Sequence, residues 1–393
     1  MSKYRVRISD LLENQITGEW GNAPSSNNAI PVIRTTNFCD DGQINFGDIA
    51  YRDIPLDKAN KKYIKPGDII IEKSGGTDKK PVGRVVYCEN CFEGKKVLCN
   101  NFTQILRVNS SVSNPRYVFY LMYFRYNIGI PEHFQNKTTG IRNLQIKAYL
   151  DDYVSITDYD EQSRVVSILD HLLALINTRK QQLSKFDELA KSRFIEMFGD
   201  PISNSKGWEI TKLEDLGELS RGISKSRPRN LPELLGGKYP LVQTGDVANS
   251  ELYITRYNST YSELGLKQSK MWKAGTLCIT IAANIAKTAI LKFDACFPDS
   301  IVGFKSNGKT NQIFIHYIFS FFQELLESQA PTVAQKNINL QTLQNLMVIC
   351  PPSKFQNDFE SFIQQLDKSK FRIKKSLEKL EMTYKALLQE YFG

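Results

Sequence analysis

The chain has little histidine and lacks the signatures of common catalytic sites. Its 393 residues include three histidines, none with a metal-ligand spacing and none beside an obvious nucleophile. The run Asn114-Pro-Arg-Tyr117 approaches the Asn-Pro-Pro-aromatic loop of adenine methyltransferases, but Arg116 replaces the second proline and no glycine-rich cofactor loop lies upstream. The run from Gly75 to Lys80 has the composition of a phosphate loop without its spacing. We therefore expect a non-catalytic chain that binds no cofactor.

Long apolar runs are also missing. No uninterrupted apolar run approaches the roughly 20 residues that a bilayer requires. The longest candidate, Gly275 to Leu291, contains Asn284 and Lys287 and is better explained as buried strands around a turn. The opening Met1-Ser-Lys-Tyr4 has none of the charged and apolar succession of a secretion signal. We expect a cytoplasmic protein that makes no membrane contact.

The cysteines do not form a disulfide framework. There are seven of them, an odd number in a chain of this length, which fits a reducing compartment. Cys88, Cys91 and Cys99 could supply three zinc thiolates. A structural zinc site needs a fourth ligand, which only distant Cys39 or a histidine could provide. We expect no bound metal, with this cysteine cluster as the open alternative.

What the chain does have is a surplus of positive charge that is unevenly distributed. The formal net charge is +9. Residues 160–199 hold six Lys/Arg and six Asp/Glu, and residues 353–393 hold eight and six, so these segments contribute +2 and the rest +7. Because phosphate neutralisation dominates nucleic-acid affinity, a basic surplus outside the two segments favours a polyanionic partner. A basic protein without such a partner is the plain alternative.

The chain also repeats itself at a separation of about 200 residues. Three pairs of stretches match in the same order: 30–37 with 239–246, 65–71 with 273–279, and Asn143-Leu-Gln145 with Asn339-Leu-Gln341. In the second pair, a glycine turn enters a β-branched run typical of a buried strand. Single matches this short arise by chance, but their preserved order predicts an internal duplication.

Each copy is followed by a segment with the apolar spacing of a long helix. From 160 to 198 and from 353 to 393, seam positions recur at alternating steps of four and three, the pattern of a coiled coil. Basic residues interrupt these seams at Arg179, Arg193 and Lys370. Asp158 with Glu161, and Ser353 with Gln356, have the spacing of a capping box.

Two such helices in one chain would bury their seams against each other. If a pseudo-twofold axis relates the copies, the helices run antiparallel, and this register places Arg179 near Glu378 and Lys370 near Asp187. The alternative is that each seam packs on its own copy.

Several of these residues resemble the specificity subunit of type I restriction–modification systems. The stretches that carry the resemblance are 138–144 leading to 160–170, Lys191-Ser-Arg-Phe-Ile-Glu-Met-Phe-Gly-Asp-Pro201 followed by Gly207-Trp208, and 337–340 through 351–356. The similarity covers the whole chain. It implies a mixed α/β fold with two target-recognition domains, 1–159 and 200–352, joined by two conserved spacer helices, 160–199 and 353–393.

The resemblance also implies partners. Each domain would read one half of a split site in double-stranded DNA, and the helices would set the gap between the halves. Adenine methylation would belong to two modification subunits docked on the helices. ATP-driven translocation and cleavage would belong to restriction subunits.

The residues expected to read DNA lie in polar-basic loops beside the repeated strands. Arg recognises guanine and Asn or Gln recognises adenine, while Lys, Ser and Thr hold phosphates. In the first domain these residues are Arg34, Thr35, Thr36, Lys73, Ser74, Lys79, Lys80, Arg84, Lys137, Thr139 and Arg142. In the second they are Arg221, Ser224, Lys225, Arg227, Arg229, Gln243, Thr244, Asn284, Lys287 and Lys336. Any one of them could instead be a solvated surface residue.

Two other functions remain open at this point. A standalone DNA-processing enzyme with an unrecognised site would be active as the purified chain with a metal. A coiled-coil scaffold that never touches DNA would show a flat salt response, whereas phosphate contacts make affinity fall steeply with ionic strength.

Overall fold

The computed structural model describes residues 3–25, 29–77, 80–89, 94–138, 141–329 and 338–393, without the side chains of residues 137, 138, 328 and 329. The chain divides into two compact units, Met1–Arg179 with Ser376–Gly393, and Lys180–Lys375. Each unit holds one copy of the repeat.

The described residues of the first half of the chain form short strands, three shorter helices and one long helix. Its strands are β1 (Tyr4–Arg7), β2 (Leu12–Thr17), β3 (Ile30–Ile33), β4 (Ala50–Arg52), β5 (Ile69–Glu72), β6 (Ser74–Gly76), β7 (Val85–Tyr87), β8 (Leu98–Cys99), β9 (Thr103–Val108), β10 (Gln135–Thr138), β11 (Ile141–Leu144) and β12 (Tyr153–Ile156). Its helices are α1 (Leu56–Ala59), α2 (Pro115–Asn127), α3 (Ile146–Leu150) and α4 (Tyr159–Phe198), with 3-10 turns at Ile8–Leu11, Thr35–Asn37 and Ile130–Phe134.

The second half has the same character. Its strands are β13 (Ile210–Lys212), β14 (Gly217–Arg221), β15 (Leu235–Leu241), β16 (Tyr253–Ile254), β17 (Ser259–Tyr261), β18 (Met271–Trp272), β19 (Leu277–Thr280), β20 (Thr288–Leu291), β21 (Ala295–Cys296), β22 (Ile301–Ser306) and β23 (Met347–Ile349). Its helices are α5 (Thr244–Ala248), α6 (Glu263–Lys267), α7 (Gln312–Gln329), α8 (Leu340–Gln344) and α9 (Ser353–Phe392), with 3-10 turns at Leu213–Asp215 and Pro232–Leu234.

The two units repeat one sheet arrangement. The antiparallel sheet β2-β9-β5-β7 corresponds to β14-β22-β19-β20, to which β16 adds in parallel. A second sheet, β4-β3-β8, corresponds to β17-β15-β21, and the pairs β3–β8 and β15–β21 are both parallel. The pairs β1–β12 and β13–β23 complete the match. The predicted duplication and the mixed α/β fold class are confirmed.

The strand predicted after each glycine turn is present in both units. Gly67 and Gly275 have φ values of 89° and 87°, a conformation that suits glycine, and β5 and β19 follow them. The apolar run from Gly275 to Leu291 forms β19 and β20 around a turn, as predicted. Among the described helices, none is long and apolar enough to cross a membrane.

One of the predicted repeat matches is wrong by two residues. Gln145 directly precedes α3 and Asn339 directly precedes α8, so these two residues correspond in the fold. The letters Asn-Leu-Gln recur at 143–145 and 339–341, but the second occurrence lies two positions further along its copy. A three-letter identity is too short to fix a register.

In the first unit, the long helices share a core with the domain. The beginning of α4 buries Val165 and Leu169, and the end of α9 buries Tyr384 and Leu388, in one apolar cluster that includes much of α2. Tyr120 of α2 lies with its ring centroid 6.5 Å from that of Tyr384. The seams therefore pack on the domain as well as on the other helix.

In the second unit, the same two helices run antiparallel. Lys370 of α9 forms an ion pair with Asp187 of α4, as the register predicted. Further along α4, Phe194 has its ring centroid 5.4 Å from that of Phe359, which lies earlier in α9. Phe194 takes the buried position of the seam, while Arg193 lies at its edge, with the guanidinium 5.9 Å from the ring centroid of Phe362 in α9 and paired with nearby Glu196. The companion pairing of Arg179 with Glu378 stays a prediction.

The starts of the long helices only partly follow the capping-box prediction. Asp158 accepts a hydrogen bond from the Glu161 backbone N–H at 3.0 Å. Ser353, however, already lies inside α9, and Gln356 does not return to it. The buried Gln356 amide donates to the Pro351 carbonyl at 2.7 Å and accepts from the Thr310 hydroxyl at 2.8 Å. The predicted box at Ser353 is therefore wrong, because the glutamine bonds the preceding loop instead.

Candidate nucleic-acid interface

Arg34 and Gln243 occupy matching positions, one just after β3 and the other just after β15. Each precedes a short helical turn, and each backbone N–H donates to a side chain three residues on, Asn37 at 2.9 Å and Asp246 at 2.8 Å. The Arg34 guanidinium pairs with Asp48 at 2.7 Å. Thr36 is exposed in the first turn, whereas Thr35 and Thr244 are partly buried. The same backbone frame thus presents an arginine in one unit and a glutamine in the other.

Several predicted residues of the first domain meet on one small sheet, in the order β10-β11-β6. Arg142 pairs across this sheet with Lys137 on one side and Gly76 on the other, and Asn143 pairs with Ser74. Lys73 precedes the sheet and is partly buried, which lowers the pKa of its ammonium group. Lys80 is exposed.

Three predicted residues lie outside the described part of the chain. They are Lys79, Thr139 and Lys336. The side chain of Lys137 is likewise outside the description.

Arg84 occupies a very different environment from its exposed neighbours. Its guanidinium makes two hydrogen bonds to Glu72, at 2.8 and 3.1 Å, and the two side chains are only 15% and 5% exposed. Burial opposes the charge, but Glu72 outweighs it and raises the pKa of Arg84 above its ordinary value. The guanidinium also donates to the Thr35 carbonyl at 3.1 Å. Arg84 therefore ties the β5–β7 hairpin to the turn after β3.

The matching hairpin of the second domain has no such tie at this position. The Glu72 N–H donates to the Arg84 carbonyl, and the Thr280 N–H donates to the Lys287 carbonyl, so these pairs correspond. Lys287 is exposed, as is Asn284 in the same loop. A lysine with a threonine opposite it replaces the buried arginine–glutamate pair.

The second domain gathers three predicted arginines around one aspartate, two on its carboxylate and one on its backbone carbonyl. Arg227 donates to Asp299 Oδ2 at 3.0 Å, and Arg229 forms an ion pair with Oδ1 of the same side chain. Arg221 donates through Nε to the Asp299 backbone carbonyl at 2.9 Å. The side chains of Arg227 and Arg229 are 54% and 42% exposed, so both remain accessible to a ligand.

A cleft of about 530 Å³ opens beside this cluster. Arg221, Arg229 and Asp299 line it together with Thr244 at the start of α5. Ala282 and Ala283, from the loop that carries Asn284 and Lys287, form another part of its wall. The structure therefore brings together predicted residues that lie far apart in the sequence.

The backbone just before Arg227 and Arg229 is held by Gln268. Gln268 accepts hydrogen bonds from the backbone N–H groups of Lys225 and Ser226, at 2.7 and 3.1 Å. Ser224 is buried rather than exposed. Lys225 presents an exposed side chain. The anchor fixes the backbone from which Arg227 and Arg229 project.

Sequence reasoning missed Asp299, the residue at the centre of this cluster. It lies 70 positions from Arg229 along the chain, and nothing in its local sequence distinguishes it from any other surface acid. Gly222 was missed as well. An added Cβ there would lie 2.3 Å from the carbonyl oxygens of Phe297 and Pro298, which shows how closely the Arg221 strand approaches the Asp299 turn.

The predicted cysteine cluster lies only partly within the described residues. No group of three or more His, Cys, Asp or Glu among them is arranged to hold a metal. Cys88 and Cys99 are buried, and burial raises the pKa of Cys99 to about 11. Cys91 lies outside the described residues.

This chain is similar to known proteins, among them a specificity subunit from an archaeon and chains of solved structures. The specificity subunit of the type I restriction enzyme MjaIX from Methanocaldococcus jannaschii is 32% identical over 90 residues, which are 22% of this chain and 20% of that protein. The match thus spans about a fifth of that relative. The S subunit of a type I restriction–modification system from M. genitalium is 13% identical, with 100% of this chain and 96% of that chain covered at a TM-score of 0.56.

The second solved structure comes from work on complex assembly and conformational transition of the type I restriction–modification system. Its chain is 16% identical, with 99% of this chain and 97% of that chain covered at a TM-score of 0.57. At these identities both likenesses concern the fold. A family model described as the type I restriction modification DNA specificity domain matches residues 3–185 and 205–382. Because that match covers both copies of the repeat, this chain belongs to the family of type I restriction–modification DNA specificity domains.

Proposed function

We propose that each domain reads one half of a bipartite site in double-stranded DNA, as part of a type I restriction–modification complex. The observation that carries the proposal is the convergence of Arg221, Arg229 and Thr244 at one open cleft, with Arg227 held beside it by Asp299. Arginine is the side chain best suited to guanine edges and phosphates, and an accessible cluster of three supplies both kinds of contact. The matching backbone arrangement around Arg34 in the first unit supports a second DNA-recognition domain.

The described residues among those predicted to bind DNA differ in environment. Exposed ones such as Thr36, Lys80, Lys225 and Lys287 can reach a ligand without rearrangement. Arg84 cannot do so without breaking a buried pair, so we assign it the role of holding the first domain's loops in place. The remaining basic and polar residues near these loops stay candidates for phosphate contacts.

The domain limits proposed are 1–159 and 200–352 for the readers, with 160–199 and 353–393 as spacers. The near neutrality of the spacers supports this division, because the basic surplus lies in the readers. A recognition domain without a surplus of positive charge would bind DNA weakly.

The proposed partners are two modification subunits and the restriction subunits of the same complex. Complex assembly is the subject of the solved structure with the similar chain. The duplication supports two modification subunits, since each copy of the repeat is followed by a similar long helix that could dock one of them.

Selection from random duplexes tests the bipartite site directly. The full chain, with its modification partner present, should enrich two short defined blocks separated by a fixed undefined gap. Recovery of one continuous motif would contradict the two-reader proposal.

A salt titration separates the two other functions. Because counterion release accompanies each phosphate contact, the logarithm of the affinity should fall linearly with the logarithm of salt concentration, with a slope of about −0.9 per contact. A flat response favours a scaffold. Cleavage of duplex DNA by the purified chain with Mg²⁺ alone favours a standalone enzyme.

A further inference from the structure

Asp299 places a negative charge inside a surface proposed to bind a polyanion. Its carboxylate holds Arg227 at 3.0 Å and also pairs with Arg229, while its backbone carbonyl accepts from Arg221 at 2.9 Å. The Asp299 side chain is 31% exposed, and Asp299 lines the cleft. One carboxylate cannot neutralise three guanidiniums, so the cluster keeps a surplus of two positive charges. Because the Asp299 carboxylate weakens the attraction of this surface for DNA, we expect it to have a role that offsets this cost.

The turn that carries Asp299 is rigidly placed. The Ile301 N–H donates to the Pro298 carbonyl at 3.0 Å, and the Ile281 N–H donates to the Ser300 carbonyl at 3.0 Å. Gly222 packs against the same turn without space for a Cβ. Asp299 is therefore a fixed point on which exposed arginines are oriented.

We infer that Asp299 is a specificity-determining positioning residue of the second domain. It orients Arg227 and Arg229 for contacts with base edges and withdraws them from indiscriminate phosphate contacts. The inference rests on the proposed function of this cleft.

The first domain provides an internal comparison. Gly18 packs on the carbonyls of Cys99 and Asn100, just as Gly222 packs on those of Phe297 and Pro298. The strand registers place Thr17 opposite Gln104 and Arg221 opposite Val302, so Thr17 corresponds to Arg221.

By the same match, Asn101 corresponds to Asp299. The Thr103 N–H donates to the Asn100 carbonyl at 3.1 Å, which repeats the Ile301–Pro298 bond of the second turn. The first domain has Thr17 where the second has Arg221, and its turn residue, Asn101, is neutral. The acid is present in the copy that has arginines to orient.

The physical effect follows from how guanidiniums bind DNA. An arginine held by a carboxylate presents its remaining donors in one orientation, which suits bidentate recognition of a base. An unheld arginine reaches the nearest phosphate, which every sequence offers. Removing the carboxylate should therefore raise sequence-independent affinity and lower discrimination.

The test compares Asp299→Asn with the unmodified full chain on two duplexes. One is the duplex recovered by selection, and the other is a shuffled duplex of equal length and composition in the second block. We expect the affinity for the shuffled duplex to rise several-fold, and the slope of log affinity against log salt concentration to steepen by about one. Discrimination, the ratio of the affinity for the selected duplex to that for the shuffled duplex, should fall about tenfold. Asp299→Glu, which keeps the carboxylate, should retain most of the discrimination.

Asp294→Asn is the matched control, since it removes the same charge from an exposed pair with Lys273 in the same unit. It should leave discrimination unchanged. The inference would be overturned if Asp299→Asn discriminated between the two duplexes within twofold of the unmodified chain. It would also be overturned if Asp299→Asn and Asp299→Glu both lost affinity equally for the two duplexes, because that result indicates a structural role for Asp299.

A further variant separates this inference from the proposed function. If Arg227→Ala with Arg229→Ala abolishes recognition of the second block but Asp299→Asn has no effect, only the inference fails. If the double arginine variant has no effect either, the proposed reading surface itself is wrong.

Discussion

At the scale of single residues, two glycines control how closely strands approach the turns beside the proposed reading surfaces. A Cβ on Gly18 would lie 1.9 Å from the Asn100 carbonyl oxygen, and one on Gly222 would lie 2.3 Å from that of Pro298. Real Cβ atoms do not approach oxygen this closely, so the backbone of the turn must move to accommodate one. The positions of Arg221 and Asp299 depend on the absence of that carbon.

Gly222→Ala should lower the free energy of unfolding of the second unit by about 1–3 kcal/mol, because overpacking forces a backbone shift. It should also weaken recognition of the second DNA block, since the shift displaces Asp299. Chemical denaturation and duplex binding measure the two effects.

Gly245→Ala is the control for this substitution, because an added Cβ there meets no atom within 4 Å. Equal destabilisation by both substitutions would show that the close approach is not the cause.

The residue scale is also where sequence reasoning reached its limit. Arg84 and Arg229 are both basic loop residues in the sequence, and nothing local to either separates them. One is buried against Glu72 and the other is accessible beside Asp299. Their difference is set by carboxylates that arrive from 12 and 70 positions away. Such partners become visible only when the fold is known.

At the scale of elements, the long helices begin with the same buried device. Gln162 of α4 accepts from the Ser113 hydroxyl at 2.8 Å and donates to the Thr157 carbonyl at 2.8 Å. Gln356 of α9 makes the equivalent bonds to Thr310 and Pro351. The two glutamines are 0% and 1% exposed. Each one fastens the first turn of a helix to the loop before a domain helix.

Gln162→Ala and Gln356→Ala should each lower the free energy of unfolding by about 1–3 kcal/mol, because each leaves buried polar groups without a partner. The effect should appear in the unit that contains the substituted residue. Hydrogen exchange of the first helical turn measures it locally, and denaturation measures it overall.

Gln364→Ala tests the same loss of an amide at an exposed position of α9. It should change stability by less than about 0.5 kcal/mol. A Gln364→Ala effect as large as that of Gln356→Ala would argue against the buried bonds as the cause.

The elements themselves were largely predictable from sequence. Apolar periodicity located α4 and α9, since forty residues of a regular seam leave little ambiguity. The Lys370–Asp187 pair followed from the antiparallel register. The packing of Phe194 did not follow, because this side chain contacts Phe314 of α7 in the domain core as well as Phe359 of α9, and apolar spacing does not show which domain residues a helix meets.

At the scale of the whole molecule, the two units share one backbone arrangement but carry different side chains on it. Arg34 corresponds to Gln243, Thr17 to Arg221, and Asn101 to Asp299, while the backbone bonds around them repeat. The frame was visible in the sequence as a repeat in fixed order. The substitutions on it are what we expect to make the two half-sites different.

If the domains read independently, disabling one should leave the other intact. Arg227→Ala with Arg229→Ala should give a selection in which one block stays defined and the other becomes random. Sequencing of the recovered duplexes measures this. Arg164→Ala with Arg372→Ala removes the same charge from exposed positions of the long helices and should leave both blocks defined. Loss of both blocks in the cleft variant would contradict independent reading.

The division of the chain has a consequence for the order in which the protein is made. The first unit needs residues 376–393, because Tyr384, Leu388 and Tyr391 complete the apolar cluster around α2. A ribosome produces those residues after the whole of the second unit. Domains commonly acquire their structure in order of synthesis. Here the amino-terminal domain receives its full core only after the second unit has been made, so a nascent chain holds an unfinished apolar surface until α9 emerges.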